Sequence, residues 1–226
     1  MSDFLESAIL LLSTIASLFI GSPTIDQSAD LKAYEEPPRL ATYNKNTDFS
    51  PETIQIIVLN NTVSSKVTEN LSVKLSEQYK IPVHVARYQA NIDAAFVKNR
   101  NQFDGKKLLK MLELPVNNKT YTIYVIEGDI YTEGYNYLFA HTDFKSHETV
   151  ISVHRFVDET LDETIVVDRL NKLLMRRIGF AYGLASNKCV MYFANDLNEF
   201  DKMKATYCAE DKDFLEMRGI LRSAQQ

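Results

Sequence analysis

Histidine and cysteine are scarce in this chain of 226 residues, which holds four of the first and two of the second. That scarcity narrows the chemistry. No two histidines stand four residues apart, the spacing that puts two imidazoles on one helix face, so no helix presents a histidine pair to a metal. His84 and His154 fall in strand-like stretches and His141 and His147 in a polar, loop-like one, where packed or solvated side chains are the ordinary outcome. No G-x-S-x-G turn is present to raise a serine nucleophile, and neither Cys189 nor Cys208 carries a sign of activation. Lys and Arg number 25 against 30 Asp and Glu, a formal charge of −5, and no basic cluster is interleaved with aromatics. A nucleic-acid surface is thereby excluded.

Long apolar runs are lacking too. Ala8–Ile20 is a run of 13, the length of a signal-peptide core and short of a full membrane span. Its flank carries Asp3 and Glu6 in place of lysine or arginine, so an export signal, a signal anchor and a docking helix all remain open. Of these, export or membrane attachment is favoured over a cytoplasmic location. Residues 24–51, with Pro37-Pro38 and few large aliphatics, read as a linker. Residues 52–226 are then the folded domain, and a hydrophobic content of 45% is enough for one core.

Within that domain the hydrophobic period alternates. Ile54–Leu59, Ile81–Ala86, Tyr121–Ile126 and Thr149–Val153 read as strands. Val67, Leu71 and Leu75 recur every four residues to mark a helix over Ser64–Tyr79, and Leu108, Leu109 and Leu112 mark another. From Glu163 to about Leu184 the pattern predicts a long helix, and Glu199–Leu221 is helical in composition with a break near Cys208. Strands alternating with helices, followed by a helical C-terminal part, predict an α/β or α+β fold.

One stretch is more specific. Leu170–Phe193 keeps Gly183 and, beyond it, Cys189-Val-Met191-Tyr-Phe193. The metzincin peptidases carry H-E-x-x-H-x-x-G-x-x-H followed by a methionine turn, and the glycine and the turn stand here at the family's spacing. Upstream, Arg100 with Gln102-Phe103, Asp129-Ile-Tyr131 with Gly134 and Asn136, and Val150-Ile-Ser152 with Arg155-Phe156 follow in the order of the archaemetzincins. From about Thr53 to Asp211 the chain therefore resembles that family. The resemblance implies a metzincin-like mixed sheet, an active-site-type helix and a Met-turn at Met191.

The resemblance also implies what is missing. Arg176, Phe180 and Ser186 stand where the three histidines would be, and Arg177 where the catalytic glutamate would be. A guanidinium is cationic without a lone pair to offer and a phenyl ring has no donor atom, so these positions cannot ligate zinc. The family's second, structural zinc has four cysteine ligands. Only Cys189 and Cys208 remain, as a disulfide or a zinc remnant, with Asn187 and Asp211 near the lost positions.

Missing ligands lead to the expectation of no metal and no cofactor, and of a catalytically inactive subunit with protein partners in a larger, membrane or cell-envelope assembly. The alternative is an active zinc metallopeptidase with a non-standard metal site. Arg176 and Arg177 could hold a carboxylate bidentately. The plainer expectation is that Phe180 fills the cavity while the arginines face solvent or pair with nearby carboxylates.

Overall fold

The computed structural model describes residues 49–112, 119–156, 161–185, 188–194 and 196–222. The expected N-terminal apolar segment, residues 1–23, and nearly all of the 24–51 linker lie outside these residues, as does Ser186.

The main sheet has five strands, β1 (Thr53–Leu59), β2 (Val83–Tyr88), β5 (Thr120–Ile126), β7 (Ala140–Asp143) and β8 (Glu148–Ser152), in the order β2-β1-β5-β8-β7. All neighbours are parallel except β7, which runs antiparallel to β8 at one edge. The expected mixed sheet is therefore present. A smaller sheet joins β3 (Phe96–Val97), β4 (Gln102–Asp104) and β6 (Ile130–Tyr131). The central strands β1, β5 and β8 bury almost every side chain, as parallel strands covered on both faces must.

Two cores follow from the two faces. Helix α1 (Ser65–Gln78) and the 19-residue α3 (Glu163–Ala181) pack on one, where Leu71, Leu75, Leu170, Leu174 and Ile178 meet Ile54, Ile56, Ile123 and Ile151. On the other, α2 (Gly105–Leu112) brings Leu108, Leu109 and Leu112 against Ile57, Tyr124, Ile126 and Val150. Local chemistry sets the ends of these helices. The Ser64 hydroxyl accepts the Val67 amide at 3.2 Å to start α1, and the Asp162 carboxylate accepts the Thr164 amide at 2.7 Å to start α3. Gly183, at φ +82, ends α3 in a Schellman motif, its amide donating to the Phe180 carbonyl and that of Leu184 to the Gly179 carbonyl.

Beyond α3 the short turn Cys189–Met191 leads to α4 (Leu197–Lys202) and α5 (Ala209–Met217). The predicted C-terminal helical stretch is thus two helices, broken at Met203–Cys208. His141, expected in a loop, lies in the edge strand β7, and His154, expected in a strand, lies in the turn after β8.

Candidate active site

Helix α3 carries the positions that matter, and the chain after it returns beneath them. A β-carbon added to Gly179 would come within 2.6 Å of the Met191 sulfur, so the glycine is what lets the Met191 turn press against the helix. Met191 is 1% exposed and Phe180 6%. The expected turn under the helix is in place.

The side chains around it are aromatic and cationic. The Arg176 guanidinium carbon lies 5.4 Å from the Phe180 ring centre and 5.0 Å from that of Phe193, and Arg177 lies 5.5 Å from Phe180. Phe180 does fill space between the two arginines. Arg176 is 7% exposed, and Arg177 is half-buried with its Nε enclosed and without a hydrogen-bond partner. The general preference of arginine for the surface is overridden in part because Arg177, one turn from Leu174 and from Ala181, lies beside Tyr121 of the sheet.

Opposite α3, three hydroxyls form a chain across the sheet. Tyr121 Oη lies 2.6 Å from Thr149 Oγ1, which lies 2.8 Å from Thr142 Oγ1. Burial pushes the Tyr121 phenol up, with its Thr149 hydrogen bond and the Arg177 charge pulling the other way. His141 on the edge strand is held below its ordinary value by burial first, then by the charges of Arg177 and Lys106. Its ring rests on Gly105, where a β-carbon would stand 3.1 Å from the His141 Cβ.

The segments that carry the family resemblance elsewhere converge on one carboxylate. Arg155 holds Asp129 bidentately at 3.0 and 2.7 Å, and the Gln102 amide donates to Asp129 at 2.9 Å and to the Asn136 carbonyl at 2.8 Å. Arg100 donates to the carbonyls of Tyr135 and Asn136 and stacks over Tyr131. The sequence singles out these residues without a role for them. Together they clamp the Asp129–Asn136 loop against β4, and an acid grouped with arginine and glutamine in a shared motif is the signal for it.

Cys189 and Cys208 are joined in a disulfide, with their Cα atoms 5.5 Å apart, so these sulfurs are not zinc ligands. Among the described residues no group of three His, Cys, Asp or Glu side chains could hold a metal ion. At the helix positions the misfit is chemical: two guanidiniums repel a cation, and Phe180 offers it nothing. Zinc does not fit there.

Comparison with known proteins gives the lineage. Peptidase family M54 matches residues 43–216. The archaemetzincin of Archaeoglobus fulgidus is 29% identical over 150 residues, which cover 66% of this chain and 90% of that protein. Among solved structures, archaemetzincin from Methanopyrus kandleri superposes with a TM-score of 0.62 at 24% identity, covering 73% of this chain and 93% of that one. A zinc-dependent peptidase from Methanocorpusculum labreanum gives 0.57 at 22% identity, covering 72% and 99%.

These findings correct the expectation of a non-enzymatic, inactive complex subunit. Three changed side chains on α3, with Ser186 beyond it, testify to one patch and not to the protein as a whole. The match is to a peptidase family, its named relatives are archaemetzincins, and it runs through nearly all of the described fold. The chain belongs to peptidase family M54.

Proposed function

We propose that the chain acts on polypeptides as a metallopeptidase of this family, with a metal site that does not use the motif positions of α3. The observation that carries the reading is the family match over residues 43–216. The preserved contact of Met191 with Gly179 beneath α3 supports it, because a scaffold that kept this geometry kept the floor of the family's site. The chemistry of Arg176, Arg177 and Phe180 restricts it. Since no three-donor group exists among the described residues, at least one metal ligand on this reading comes from outside them. Partner proteins, expected from the missing ligands, and an envelope or membrane location, expected from residues 1–23, are not needed for it.

Metal analysis of the purified full chain, paired with a peptide-hydrolysis assay before and after chelation, tests the reading. Near-stoichiometric bound metal is expected, with hydrolysis lost on chelation and restored on adding the metal back. Changing Arg176 or Arg177 to alanine should leave the metal content as it was. Metal-free protein that cleaves none of a mixed peptide library would overturn the proposal.

A further inference from the structure

Arg177 is a half-buried cation that no described residue satisfies. Its Nε is enclosed and unbonded, and no ion pair or hydrogen bond is made by its guanidinium among the described residues. The residue as a whole is only half-buried, so part of its side chain reaches solvent. Burial lowers its pKa, and only the Tyr121 phenol opposes that effect. A guanidinium keeps its charge even so, because it titrates far above neutrality. The C-terminal end of α3 offers some favourable dipole, but a helix end does not replace a lost hydration shell.

The surroundings favour an anion from outside. Phe180 lies against Arg177 and against Arg176, so the Arg177 charge has an apolar wall on one side, which strengthens its attraction for a negative group. The Tyr121–Thr149–Thr142 chain has three hydroxyl protons and two internal bonds, which leaves one proton to donate. A chain of net charge −5 is a poor partner for polyanions, so a single small anionic group fits better than a phosphate backbone. On a polypeptide that group is a carboxylate, whose two oxygens match the guanidinium fork.

We propose that the solvent-facing edge of the Arg177 guanidinium, beside β5 at the end of α3, binds a carboxylate of a polypeptide ligand. The choice of a polypeptide rests on the proposed function; the anion site does not. The side chain would then select ligands by charge at a place where the family's motif has a glutamate.

Calorimetric titration of the full chain with alanine-based hexapeptides is the test. One peptide has both ends blocked, one has blocked ends and an internal glutamate, one has a free C-terminal carboxylate, and inorganic phosphate is a fourth probe. At least one carboxylate peptide should bind about tenfold more tightly than the blocked one, a difference of about 1.4 kcal/mol. Comparing the two carboxylate peptides tells a side-chain from a terminal source. Arg177→Met should abolish the preference and Arg177→Lys should keep part of it. Equal binding of all peptides, a preference that survives Arg177→Met, or phosphate binding more tightly than either carboxylate peptide would overturn the site. Following cleavage in the same samples separates the two proposals. A carboxylate preference in protein that is metal-free and cleaves none of the mixed library sinks only the metallopeptidase reading, and hydrolysis without the preference sinks only the anion site.

Discussion

Two stretches of α3 bury cations, and they treat them differently. In the first, Arg169 donates to both oxygens of Asp201 at 2.8 and 2.6 Å and to the Phe156 carbonyl at 2.6 Å. Lys172, a turn on, reaches Asp168 at 2.8 Å and the Asp201 carbonyl at 3.0 Å. In the second, Arg177 has no such partner among the described residues. The helix, the sheet beneath it and the solvent are shared by both stretches. What differs is whether the fold supplies the anion, and a buried cation whose anion is supplied is structural while one whose anion is not supplied is open to a ligand.

The comparison breaks most sharply under paired substitutions. Asp201→Ala strands Arg169, whose side chain is 9% exposed, and should cost about 2 kcal/mol in urea unfolding, less than a fully buried pair because Asp201 is 41% exposed. Arg177→Met should do the opposite and raise stability by about 1 kcal/mol, since it removes a partly desolvated charge that no described residue compensates. A loss of stability in that variant would mean that Arg177 has a partner within the protein, and the contrast between the stretches would fail.

A smaller effect tests the floor under the second stretch. An alanine at a helix interior ordinarily gains about 1 kcal/mol over glycine. Gly179→Ala should instead lose about 1 kcal/mol, because the new methyl meets the Met191 sulfur at 2.6 Å in a packed interior. In a Met191→Ala background the same change should turn favourable. If Gly179→Ala stabilises both proteins, Met191 does not press on the helix.

The smallest effect is a pH dependence. His141 has a folded pKa below the ordinary 6.5, so the unfolded chain binds its proton more readily. Stability from this residue is therefore full above pH 6.5 and falls as the pH drops from there towards the folded value. Unfolding midpoints measured across that window should decline on the acid side, and the slope should flatten in His141→Gln. It should flatten partly in Arg177→Met, since the Arg177 charge contributes to the shift. An unchanged slope in both variants would remove His141 from the neighbourhood of Arg177.

Much of this architecture is legible from the chain alone, for identifiable reasons. Helix α3 announces itself through Leu170, Leu174 and Ile178, its stop through Gly183, and the turn beneath it through Met191, because each depends on spacing along the sequence. Strand β7 does not: Ala140-His-Thr-Asp143 is polar and half-exposed, as an edge strand can be, and only its pairing with β8 makes it a strand. The state of Cys189 and Cys208 depends on two residues 19 apart meeting, which spacing permits without requiring. The enclosure of Arg177 is illegible for a related reason. Its isolation is made by Tyr121 and its strand neighbours, more than fifty positions away, and no local pattern records which carboxylates fail to arrive.

The Cys189–Cys208 bond closes a covalent ring that contains the whole of α4. A segment pinned at both ends cannot fray from one end towards the other. When the ring lifts from the helix, Cys189 and Cys208 leave together, and Met191, seated just inside one end, leaves Gly179 in the same event. The floor beneath the helix is therefore one cooperative unit, held or released as a whole.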